Sequence, residues 1–175
     1  MTDSPSPHAS DVTAQLIASF NDAPVYVAEG FPTEVESGTA GLSKELKEIV
    51  EAATRGESAS KIGNLKIGYI NNDGPMHNSL RDIAQKILDQ TNADTVILKS
   101  PNQATAVSEN LPRFAIESNA KILYGANSNP GATQEFLQQA TSYEAPTGLA
   151  NIGVLLALLV AALITSLFNL RNKRA

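Results

Sequence analysis

The chain has 175 residues, with 13 basic and 18 acidic side chains, two histidines and no cysteine. These counts exclude disulfides, thiolate metal sites and a zinc site held by histidines alone. Three of the basic groups fall in the last five residues, which leaves the preceding chain ten bases against 18 acids, a balance of −8. Such a surface disfavours nucleic acid phosphates and anionic membrane surfaces as partners.

Met1–Ser10 is rich in Ser and Pro and is expected to be disordered. Its acid and missing apolar run also leave no signal-peptide pattern there. Asp11–Phe20 reads as a short helix with Val12, Leu16, Ile17 and Phe20 on one stripe, and Val25–Ala28 as a strand or extended segment. Glu29–Ala40 is loop-like. Ser43 is the expected N-cap of a helix whose Leu46, Ile49, Val50 and Ala53 form the apolar face. Lys44, Lys47, Glu48 and Glu51 form its solvated face, and Gly56 ends it. Gly56–Ser60 is a polar connection.

Leu65–Ile70 is a strand, Asn71–Pro75 a sharp loop, and Asn78–Thr91 a helix with Leu80, Ile83, Ala84, Ile87 and Leu88 inward. Thr95–Leu98 is apolar enough for the centre of a sheet. Lys99–Asn110 is polar, Leu111–Ser118 a short helix opened by Pro112, Ile122–Tyr124 a strand, and Asn127–Gly131 a turn. Ala132–Ser142 is a helix with Phe136, Leu137 and Ala140 inward, and Pro146 and Gly148 break the chain after it. Alternating strands and helices predict an α/β sandwich with helices on both faces of one sheet. Ligands in such folds favour loops at the carboxyl ends of strands, here Asn71–Asn78 and Lys99–Ser108.

Leu149–Leu170 carries no ionisable side chain. A helix of about 20 residues covers roughly 30 Å, a bilayer's hydrocarbon thickness, so this stretch is expected to be a single transmembrane helix rather than a core helix. Arg171, Lys173 and Arg174 follow it, whereas Gln134–Gly148 holds no basic residue. The positive-inside rule then places the tail in the cytoplasm and the domain outside, against the alternative of a tail-anchored cytoplasmic domain. Gly153, Ala157 and Ala161 are spaced for close helix packing and offer a homodimer contact.

The blocks IGYINNDGPMHNSLRDIA and TVILKSPNQATAVSENLPRFAIE, with the terminal apolar stretch and its basic end, resemble a mycobacterial and corynebacterial family of single-span membrane proteins related to the TPM domain. The resemblance implies a Rossmann-like α/β/α sandwich over residues 11–145, a transmembrane helix over 149–170 and a basic tail over 171–175. It also implies, through association with peptidoglycan hydrolases, an envelope role in cell-wall remodelling or division. Some TPM domains bind calcium or are credited with phosphatase activity through acidic loop clusters. Here the first loop holds only Asp73, and Lys99–Val107 holds no acid.

The candidate ligand- or partner-binding residues are Asn71, Asn72, Asp73, His77, Arg81, Ser100, Asn102, Ser108 and Arg113. Asn71, Asn72 and Asp73 offer oxygens to a divalent cation, although one carboxylate is a thin charge for a tight site and the same residues suit a turn. His77 can act as a base or ligand, or simply face solvent. Ser100 and Ser108 have no nucleophile-elbow pattern and suit turns and caps. Arg81 and Arg113 can clamp an anion or pair within the fold, Arg113 with Glu117 four residues on. No cofactor motif and no catalytic set emerge. The expected function is a membrane-anchored, non-enzymatic domain that binds a hydrolase or division protein, with a metal-dependent phosphatase of TPM type as the alternative.

Overall fold

The computed structural model describes residues 9–71, 77–124 and 129–143. The elements are α1 (Ala9–Asp22), β1 (Val25–Val27), α2 (Gly38–Arg55), α3 (Ala59–Ile62), β2 (Leu65–Tyr69), α4 (His77–Gln90), β3 (Thr95–Lys99), β4 (Ala104–Ser108), α5 (Arg113–Tyr124) and α6 (Pro130–Ser142). The chain divides into two units after Ser142. All of the second except Tyr143 lies outside the described residues.

The four strands form one sheet in the order β1-β2-β3-β4. The first three are parallel, and β4 returns antiparallel beside β3, with Thr95 opposite Ser108 and Lys99 opposite Ala104. Successive residues of a strand face opposite sides, and the core splits accordingly. Leu65, Ile67 and Tyr69 of β2 join Leu42, Leu46 and Val50 of α2 with residues of α5 and α6 on one face. Val96 and Leu98 of β3 join Leu16 and Phe20 of α1 with Leu80, Ala84 and Ile87 of α4 on the other. On that second face a Cβ at Gly68 would lie 2.7 Å from Leu98 and 3.1 Å from Phe20, so the absent side chain is what lets α1 rest on the sheet.

The expected Rossmann-like, TPM-like sandwich followed by one C-terminal transmembrane helix is corrected. The structure is a mixed α/β fold whose strand order never reverses. The β1-to-β2 crossover passes over the α2 face and the β2-to-β3 crossover over the α4 face, yet both step the same way across the sheet. Two such crossovers must be of opposite hand, so one departs from the right-handed rule. A doubly wound sheet instead covers both faces by reversing strand order at a central switch point, where its ligand crevice opens. This sheet has no such point. Among the described residues, no helix is long and apolar enough to cross a membrane, and the segment Leu149–Leu170 lies outside them.

Several local expectations also change. The polar segment after Lys99 contains β4, whose Ala, Thr and Ser side chains are too small to mark a buried strand, although α4 and α5 both pack on it. Ile122–Tyr124 is the last turn of α5, not a strand. Its Leu123 continues the stripe of Ile116, seven residues earlier. Helix α2 starts five residues before the expected cap at Ser43, and the Gly56–Ser60 connection leads into the single turn of α3. In the expected turn at Asn127–Gly131, Asn129 caps α6 by accepting the Gly131 N–H at 2.8 Å, and Pro130 takes the first helical position.

Three lysines finish three helices from elsewhere in the chain. The last carbonyls of a helix lack internal partners and carry its negative dipole end. Lys66 of β2 donates from Nζ to Phe20 O in the last turn of α1 at 2.7 Å. Lys99 of β3 donates to Leu123 O of α5 at 2.6 Å, and Lys61 of α3 to Thr141 O of α6 at 2.7 Å. Neither α1 nor α6 has a basic residue of its own in its last turn.

Candidate functional site

The sheet's carboxyl end holds Asn71, Ser100 and Asn102. Asn71 donates from Nδ2 to Glu29 O at 2.6 Å, which ties the end of β2 to the loop after β1. The Ser100 hydroxyl accepts the Gln103 N–H at 3.1 Å and lies 3.2 Å from Gln103 O, closing the β3–β4 turn in which Asn102 sits. His77 is the first residue of α4. Asn72 and Asp73 lie outside the described residues.

Ser108 lies at the opposite end of the sheet, so the two candidate serines are not brought together. Its Oγ shares a 2.8 Å hydrogen bond with Thr95 and accepts the N–H groups of Asn110 and Leu111 at 3.2 and 3.1 Å, which shapes the turn into α5. The structure does bring Arg81 and Arg113 together, on one carboxylate. Arg113 Nε lies 2.5 Å from Glu117 Oε1, and Arg81 reaches the same oxygen at 4.0 Å. All three side chains are substantially exposed, and the Arg81 contact links α4 on one face to α5 on the other. Among the described residues no three His, Asp or Glu side chains are placed to hold a metal ion.

Besides Ser100, the buried polar groups lie outside the candidate residues. Tyr69 and Thr133, both fully buried, share a 2.9 Å hydrogen bond, and Phe31 packs against the Tyr69 ring with centroids 5.1 Å apart. Burial pushes the Tyr69 phenol pKa up, and the Thr133 bond opposes this in part. Lys99 stands opposite Tyr69 on the neighbouring strand. Burial pushes the pKa of Lys99, and of Lys66, below the ordinary lysine value. Every one of these groups has a partner inside the fold, which assigns them to structure.

A concave feature lies elsewhere, between α2 and α6. It is an open groove of about 740 Å³. Glu45, Glu48, Ile49, Ala52 and Ala53 line it from α2 and Gly56 from its C-cap, a set that occupies an arc of roughly 140° on the helix. This arc falls between the buried stripe of Leu42, Leu46 and Val50 and the charged face of Lys44, Lys47 and Glu51. From α6 come Pro130, Gly131, Gln134, Leu137, Gln138 and Thr141. Ser58 fixes one end by donating to Thr141 Oγ1 at 3.2 Å, beside the Lys61 cap. Among the described residues the lining includes three carboxylates, Glu45, Glu48 and Glu57, and no basic side chain.

A family model described as membrane protein Rv1476 matches residues 6–175. The chain belongs to that family. A relative, the membrane protein Rv1476 of Mycobacterium tuberculosis (strain ATCC 25618 / H37Rv), is 29% identical over 113 residues, which are 64% of this chain and 60% of that protein. The family is therefore actinobacterial, and the protein is a membrane protein. The matched region spans about three-fifths of the relative's length. No solved structure matches the chain.

Proposed function

We propose that this protein is a membrane-attached, non-enzymatic binding domain of the actinobacterial envelope that presents the α2–α6 groove to another protein. Attachment runs through Leu149–Leu170, with Arg171, Lys173 and Arg174 in the cytoplasm and the domain outside, a placement supported by the charge asymmetry around that segment. The partner class is a cell-wall hydrolase or a division component, as the family resemblance implies. The observation that carries the reading is the groove itself, an open surface with an apolar floor on two helices. The contacts of Ser100, Ser108, Arg81 and Arg113 support it further, because each completes a turn, a cap or an ion pair.

Photo-crosslinking in intact cells tests this. A photoreactive residue replaces Ala52, exposed in the groove, or Lys86, exposed on α4 across the sheet. A discrete protein adduct is expected from position 52 and not from 86. The absence of an adduct at 52, or equal adducts at both, overturns the binding surface. Because the chain has no cysteine, Lys86→Cys and Asn172→Cys also report topology with a membrane-impermeant maleimide. Labelling at 86 in intact cells, with 172 labelled only after lysis, is expected, and the reverse pattern overturns the orientation.

A further inference from the structure

We infer that the occupant of the α2–α6 groove is a cationic amphipathic helix of a partner protein, held by apolar side chains on the groove floor and by Lys or Arg against the rim. This rests on the reading of the groove as a protein-binding surface and names the chemistry it selects.

Shape favours a helix. The groove runs between side-chain rows of two helices, α2 of 18 residues and α6 of 13, roughly 27 and 20 Å long. A third helix packs into such a furrow at about 8–10 Å from its neighbours when small residues leave room. Ala52, Ala53, Gly56 and Gly131 leave that room here. Ile49 and Leu137 give the floor apolar contact for side chains at i, i+3, i+4 and i+7 of the incoming helix. An extended peptide binding by strand addition would need a free strand edge, and among the described residues no strand residue lines the groove.

Charge sets the sign of the partner. The rim carboxylates of Glu45 and Glu48 stand on one side, and Glu57 stands near the Ser58 end. Among the described residues no lining side chain neutralises them. Nearby Arg55, outside the lining, is engaged with Glu51 at 3.3 Å. The rim therefore attracts a basic segment and repels an acidic one, an effect felt most in encounter rate and selectivity. A second copy is a poor occupant, because this chain's own surface is acidic, with the balance of −8 given above.

The test uses the full chain in nanodiscs of neutral lipid and a fluorescent 18-residue Leu/Lys peptide patterned as an amphipathic helix, with its binding to empty nanodiscs subtracted. Anisotropy is expected to show saturable binding that weakens several-fold when salt rises from about 50 to about 300 mM. Glu45→Lys with Glu48→Lys should weaken binding at least tenfold. Asp82→Lys with Asp89→Lys, the same change of charge on exposed positions of α4, should leave it within twofold. A Leu/Glu peptide of the same pattern should not bind. Equal loss in both double variants, or none in the groove variant, overturns the inference. So does displacement of the peptide by spermidine at equal concentration, which would mark a site for small cations. Thermal melts confirm that both variants fold. Failure here with an adduct still formed at position 52 in cells would leave a docking groove of other chemistry, whereas loss of that adduct would remove the groove reading itself.

Discussion

Replacing Lys99 by Met tests whether the buried lysines stabilise the fold. Lys99 is 4% exposed, and its Nζ donates to Leu123 O at 2.6 Å. Met keeps most of the aliphatic length and removes the charge and the donor. A buried carbonyl left without a partner costs about 1–3 kcal/mol, and losing a cation at a partly buried helix C-terminus costs up to about 2 kcal/mol. Relief from burying an ammonium offsets part of this. A net loss of about 1–2 kcal/mol is expected, or roughly 3–8 °C in Tm for a domain of this size. The loss should also depend on pH. Burial lowers the Lys99 pKa below its ordinary 10.5, so between the lowered value and 10.5 the unfolded chain binds more protons than the fold. Stability of the wild type then rises with pH through that window, and the Met variant lacks the increment. Urea denaturation of the full chain near pH 7 and pH 9.5 measures both effects, and the gap should widen at the higher pH. A Met variant as stable as wild type at pH 7 would refute the capping argument and show that desolvation dominates.

Gly68→Ala should destabilise by about 1–3 kcal/mol, because the new methyl meets Leu98 and Phe20 where α1 rests on the sheet. A lower denaturation midpoint with an unchanged slope is the expected signature, and an unchanged midpoint would mean that α1 shifts freely. Tyr69→Phe should cost about 1–2 kcal/mol by leaving the buried Thr133 hydroxyl without its partner. Adding Thr133→Val should recover part of that loss in a double-mutant cycle, and strict additivity would show that the two groups do not couple.

The apolar runs of β2 and β3 and the helical stripes of α1, α2, α4 and α6 were legible in the sequence because burial imposes a period. Element β4 was not, since Ala104, Thr105, Ala106 and Ser108 are small enough to read as loop. The end of α5 was not, because three apolar residues fit a strand as well as a helical turn. The helix caps by Lys61, Lys66 and Lys99 join residues 80, 46 and 24 positions apart. A lysine inside an apolar strand signals an unusual environment but not which carbonyl it meets. The groove left a readable trace in the spacing of Glu45, Glu48, Ile49 and Ala52 on α2. Glu48, however, is exposed, as a residue of the solvated face should be, and the facing wall from α6 lies more than 70 residues further along the chain, so the pattern on α2 alone does not reveal a groove. Asn129-Pro130-Gly131 fits a turn as well as the helix cap that it forms.

Strand order decides where such a fold can bind. A sheet that reverses order opens a crevice at its carboxyl edge, and loop residues converge there. In this sheet β1, β2 and β3 follow one another without reversal, and the next connection is a tight hairpin closed by Ser100. Among the described residues of the carboxyl edge, Asn71 and Ser100 are bound to backbone. Helices α2 and α6 share the other available layer, and their facing rows leave the groove because small residues stand where large ones would close it. The surface proposed for binding is accordingly the outer helical groove between α2 and α6 rather than the loops at the ends of the strands, of which Asn72 and Asp73 lie outside the described residues. Under the proposed reading, recognition there depends on the charge and apolar pattern of an incoming segment, to which the rim carboxylates of Glu45, Glu48 and Glu57 contribute the charge.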